Sequence, residues 1–86
     1  VITIHKYTFS ISDRFEFFLP EGAEILSVQL QRGQPTMWAK VDTEASMETR
    51  IFYVLGTGHP FPSTPFKHIA SFQQDIFVWH LFEETK

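Results

Sequence analysis

The residues of this chain that could do chemistry are few: four histidines, scattered serines, and the stretch Gly56-Thr57-Gly58-His59-Pro60. Two glycines flanking a threonine allow positive φ and let successive N–H groups converge, the geometry of an anion-binding nest. His59 would add a donor whose charge responds to pH near neutrality. The same residues serve equally as a plain exit from a strand, with Pro60 fixing the loop, since no lysine or following helix completes a phosphate loop. His5, His59, His68 and His80 form no His-x-His or His-x-x-x-His pair and adjoin no carboxylate cluster, so no metal site is expected. His80 reads as a hydrogen-bonded core histidine. No Gly-x-Ser-x-Gly surrounds Ser27, Ser46, Ser63 or Ser71. With no positioned acid, base or nucleophile, and no cofactor motif, the chain reads as a non-enzyme.

A second candidate surface is built from Gln29, Gln31, Trp38 and Lys40. A row of amides beside an indole suits a flat ligand, which would stack on the ring while the glutamines offer donors and acceptors. The same set describes an ordinary solvent face or one that packs on a partner. Asp42, Glu44 and Glu48 surround a loop with Arg50 two residues on, where a surface ion pair of little worth is expected.

The elements that must carry these residues are strands. Glu24-Ile25-Leu26-Ser27-Val28-Gln29-Leu30-Gln31-Arg32 has a period of two, with Leu26, Val28 and Leu30 on one face and Ser27, Gln29 and Gln31 on the other. Gly33-Gln34-Pro35 leads as a hairpin into Thr36–Asp42, where Met37, Ala39 and Val41 face the core and Trp38 lies near the glutamine row. Residues 1–9, 15–19, 47–55, 66–73 and 76–82 also read as strands. Pro20-Glu21-Gly22 and Gln74-Asp75 read as turns, and residues 42–46 as at most one helical turn. Three prolines within residues 60–65 make an exposed loop. Glu83-Glu84-Thr85-Lys86 reads as a solvated tail. No window carries a helical stripe, so the expected fold is a single all-β domain, a small antiparallel sandwich or barrel of about six or seven short strands.

Composition limits the partners. The chain is 43% hydrophobic and 16% aromatic, with ten phenylalanines and no cysteine. A small domain without disulfides depends on burying such rings, each covering roughly 150–250 Å². Net charge is −3 and the seven lysines and arginines are dispersed, which disfavours general nucleic-acid binding. The start lacks the pattern of a signal peptide, and no apolar run approaches the ~20 residues of a membrane span. In the last strand Ile76, Val78, His80 and Phe82 line one side, and Phe77, Trp79 and Leu81 the other. A strand apolar on both sides must be covered twice. In so short a chain this favours a homo-oligomer, most simply a two-fold dimer, with Phe77, Trp79 and Leu81 as its candidate interface.

The segments Leu19-Pro20-Glu21-Gly22-Ala23, Gly33-Gln34-Pro35, Glu48-Thr49-Arg50, Gly56-Thr57-Gly58-His59-Pro60 and His80-Leu81-Phe82-Glu83 resemble a family of short uncharacterised proteins encoded in bacteriophage and prophage genomes. The resemblance spans nearly the whole chain and departs from the pattern at Ala70-Ser71, where Gly-Thr would stand. It implies the cytoplasm of an infected or lysogenic bacterium and no catalytic residue. The leading expectation is a phage accessory protein that associates with a host, defence or phage protein. The alternatives are capture of an anionic, nucleotide-like molecule by the Gly-Thr-Gly-His loop and Trp38, or a structural role in the virion.

Overall fold

Alternation of β-branched and aromatic residues between turn signals yields seven antiparallel strands. A computed structural model describes residues 1–85 of the chain; Lys86, expected in a solvated tail, lies outside the described residues. The strands are β1 (Ile2–Thr8), β2 (Arg14–Pro20), β3 (Glu24–Gln31), β4 (Gln34–Asp42), β5 (Met47–Gly56), β6 (Phe66–Gln74) and β7 (Phe77–Glu84). They form a three-stranded sheet, β1-β4-β3, facing a four-stranded sheet, β2-β5-β7-β6. This is the sandwich rather than the barrel: the two sheets keep separate edges. Residues 42–46 hold no helix; Ala45 N–H donates to Asp42 O at 3.1 Å and closes a turn.

The core lies between the sheets. Met37 and Ala39 of β4 are fully buried and Val41 is 2% exposed, while Leu19, Phe52 and Leu81 close over them from the other sheet. Phe15 stacks on Phe52 with ring centres 5.5 Å apart and on Phe9 at 5.1 Å. Such ring pairs contribute beyond their buried area, which matters in a core this small.

Two bulges reset the period of two. In β3 the pairing with β4 slips between Ile25 and Ser27, so Leu26 is an extra residue. Ile25 therefore packs against the core with Val28 and Leu30, whereas Leu26 is 47% exposed. The single face expected for Leu26, Val28 and Leu30 is thus broken at its first member. In β6 the slip falls between His68 and Ala70. Phe66 and His68 consequently face outward, where both meet Phe82, while Ala70 and Phe72 pack inward.

Polar ties join the sheets at two places among the described residues: Gln74 Nε2 of β6 donates to Gly33 O in the β3–β4 turn at 3.3 Å, and a stronger tie centres on Arg50. Arg50 on β5 donates from Nε and Nη2 to both carboxylate oxygens of Glu83 at 2.5 and 2.8 Å, and from Nη1 to the Ala23 carbonyl at 2.5 Å. The hydrogen bond to Glu83 raises the guanidinium pKa above its ordinary value, with burial pulling the other way. Glu83 is accordingly part of β7 rather than of a solvated tail, and Arg50 pairs with it instead of with a nearby surface carboxylate.

Candidate functional site

The loop after β5 folds back over the outer side of the four-stranded sheet. It leaves through a turn in which His59 N–H donates to Gly56 O at 3.0 Å, with Gly58 at φ +92°. That dihedral suits the third position of a type II turn and is open to glycine. Gly56 is favoured for a different reason. A Cβ there would lie 3.0 Å from His59 Cε1 and 3.2 Å from Trp79 Cζ3, so both rings close on bare backbone.

The anion-nest expectation fails on hydrogen bonds already made. Gly56 N–H donates to His59 Nδ1 at 3.2 Å, and Thr57 N–H donates to Val78 O at 3.2 Å. With His59 N–H on Gly56 O, three of the loop's donors are engaged within the protein, and Gly56 itself continues β5. A nest needs successive free N–H groups converging on one point.

Beside the loop runs a chain of side-chain hydrogen bonds. Thr57 Oγ1 lies 2.9 Å from His80 Nε2, Ser71 Oγ 2.7 Å from His80 Nδ1, and His68 Nε2 3.0 Å from Ser71 Oγ. One proton ordering satisfies every atom. His68 Nε2–H donates to Ser71, Ser71 donates to His80 Nδ1, His80 Nε2–H donates to Thr57, and Thr57 donates to Val78 O. The relay ties the loop to β7 and β6 and fixes the His80 ring. Its signal in the sequence is the β6–β7 turn: the two-residue turn is Asp75-Ile76, Asp75 at φ +54°, rather than Gln74-Asp75. That one-residue shift sets Ser71 opposite His80.

Above the relay the surface is aromatic. Phe61, at the middle of the proline-rich loop, stacks on Phe66 at 5.1 Å and meets Phe82 edge-on at 5.2 Å, yet remains 62% exposed. A cleft of ≈ 250 Å³ on one side is lined by Leu55, Thr57, His59, Phe61, His80 and Phe82. A second of ≈ 430 Å³ is lined by Asp13, Arg14, Tyr53, His59, Phe61 and Pro62 among others. Tyr53 O–H donates to Glu84 at 2.8 Å, and Arg14 pairs with Glu16 at 3.0 Å on the rim.

The other candidate residues lie elsewhere. Gln29, Gln31, Trp38 and Lys40 do share the outer side of the three-stranded sheet, with Trp38 opposite Lys6 and Ser27, and Gln29 opposite Thr36. Gln29 donates to Ser27 Oγ at 2.8 Å, and Gln31 accepts from Lys6 Nζ at 2.9 Å across β4. Trp38 and the Gly-Thr-Gly-His loop therefore sit on opposite outer sides, separated by both sheets, so one small ligand cannot engage both. Phe77, Trp79 and Leu81 point into the sandwich. Leu81 is fully buried and Trp79 packs against the core; Phe77 alone remains open, at 54%. The facing sheet covers Trp79 and Leu81 on this side of β7 and leaves only Phe77, at the start of the strand, accessible.

Among the described residues no group of three or more histidines, cysteines and carboxylates is placed to hold a metal ion. Among the described residues, no helix is long and apolar enough to cross a membrane. No curated protein and no solved structure matches this chain. A family model does match, over residues 1–86 and so over every strand, turn and cleft described above: the chain belongs to the family described as domain of unknown function (DUF7352).

Proposed function

We propose that this chain is a non-enzymatic recognition protein that binds a partner protein on the outer side of its four-stranded sheet. One observation carries the reading: Phe61 stands 62% exposed while its ring packs on Phe66 and Phe82, with an open cleft on either flank. An aromatic anchor fixed before the partner arrives gives up little side-chain freedom on binding. The two clefts suit an extended segment that lays one apolar side chain on each side of the ring. In the phage setting implied by the sequence resemblance, such a partner is a host, defence or phage protein met in the bacterial cytoplasm. Capture of partners from lysate by the wild-type chain, compared with Phe61→Ser, tests this. Recovery of one defined protein that Phe61→Ser loses supports the reading; equal recovery by both overturns it.

A second reading follows from Arg14 at the rim of the larger cleft. An anionic molecule with a flat ring would pair with Arg14 and His59 and stack on Phe61. It predicts a rise in melting temperature with nucleotides that Arg14→Ala removes, and a nucleotide panel without a shift ends it. A role in the virion predicts the chain among the proteins of purified particles by mass spectrometry.

A further inference from the structure

We infer that the chain forms a two-fold dimer by pairing β1 with β1 of a second copy, extending the three-stranded sheet across the axis. The backbone bonds set the phase of β1. Thr43 N–H donates to Val1 O at 2.9 Å and Phe9 N–H to Pro35 O at 3.0 Å. Odd-numbered residues thus turn their N–H and C=O groups toward β4, while Ile2, Ile4, Lys6 and Thr8 direct theirs out along a free edge.

The other three edges are guarded in ways that block pairing. β3 carries the Leu26 bulge, β6 carries the bulge between His68 and Ala70, and β2 carries Arg14, Glu16 and Pro20. β1 has no proline, no bulge and one charged residue, Lys6, and it exposes Ile2 at 60% and Ile4 at 58%. A second β1 returns donors to acceptors along this edge, because an antiparallel strand is complementary to its own copy.

Charge selects the register. With Ile4 opposite Ile4 of the second copy, Lys6 falls opposite that copy's Ile2, whose neighbour on β4 is Asp42. Lys6 already reaches across one strand to a side chain on the next, at Gln31, so the Asp42 carboxylate of the second copy lies within the same span. Asp42 is 46% exposed, and one of its oxygens accepts Glu44 N–H at 3.0 Å. Sliding the copy by two residues, so that Ile4 meets Lys6, carries each Lys6 toward Lys40 of the other chain, a like-charge contact. The favoured register makes about six backbone hydrogen bonds. A single strand pair is a small interface, so the dissociation constant is on the order of 1–100 µM.

Sedimentation of the purified chain from about 1 to 500 µM tests this, with circular dichroism confirming that each variant folds. The wild type shifts from one subunit to two across that range. Ile4→Lys remains a single subunit throughout, and Lys6→Glu weakens dimerisation about 10-fold or more. Lys6→Glu with Asp42→Lys recovers most of that loss, and Phe61→Ser, on the opposite side, leaves dimerisation unchanged. A wild type that is monomeric at the highest concentration, or a dimer that survives Ile4→Lys, overturns the edge pairing. Failure of the charge swap to recover overturns the register, and loss of the dimer in Phe61→Ser overturns the location.

Discussion

Replacing Arg50 by methionine strands the Glu83 carboxylate, and the structure sets what that costs. The two side chains are 17% and 16% exposed, nearer to a buried pair than to a surface one. Breaking a buried pair from one side costs roughly 3–5 kcal/mol, whereas an exposed pair is worth about 0–1. Residual solvent contact brings Arg50→Met toward the lower end, about 3 kcal/mol, including the donor lost from the Ala23 carbonyl. A chain this size has about 4–13 kcal/mol in total at ~0.05–0.15 per residue, so the variant loses a large share of it. In urea, with a slope of about 1 kcal/mol/M for a small protein, the midpoint falls by about 3 M. Arg50→Lys recovers less than half of the loss, because an ammonium cannot reproduce the two-pronged contact. The double variant Arg50→Met with Glu83→Leu is the decisive arm. Removing both charges together leaves neither stranded, and the cost drops to about 1 kcal/mol. The reasoning is refuted if Arg50→Met costs under 1 kcal/mol, or if the double variant is as unstable as the single one.

Three further outcomes are expected. Ile25→Ala costs about 2–3 kcal/mol in urea denaturation while Leu26→Ser costs less than about 0.5, the reverse of what an unbroken alternation would give; equal costs would deny the bulge. Gly58→Asn is tolerated within about 1 kcal/mol and Gly58→Val is not, because the need there is a dihedral. Gly56→Asn fails, because the need there is space, and thermal melts of the three separate the two causes. The Trp79 indole nitrogen is buried with no hydrogen-bond partner among the described residues. Trp79→Phe therefore costs only about 1 kcal/mol, since the lost contact area is offset by removal of an unsatisfied donor; a loss above about 3 would show the N–H to be satisfied.

Strands were legible wherever alternation ran unbroken between turn residues, as in β4, whose Met37, Ala39 and Val41 are the inward set that the period of two requires. The bulges were not, because an extra residue in a strand leaves no mark in composition; only the partner strand reveals the slip. Arg50 and Glu83 are thirty-three positions apart in sequence, and their union depends on β5 lying beside β7. The relay of Thr57, His80, Ser71 and His68 has the same character, since no local spacing announces it. The loop's glycines were legible as special positions, but their role was not. The sequence pattern allows free N–H groups; the fold returns those groups to His59, Val78 and Gly56. Reading β7 as apolar on both sides was right, but the inward side meets the other sheet and the outward side is partly roofed by Phe61.

The two bulged strands, β3 and β6, lie one above the other on the same flank of the sandwich. That flank is capped in both layers, so under the β1 pairing inferred above only the β1 margin receives a second copy. A body with a single receptive margin stops growing once two copies have met, because nothing remains to recruit a third. A sheet whose two ends are both bare can recruit a further copy at each of them. Kinked in both layers, that flank offers no straight edge on which further copies could stack.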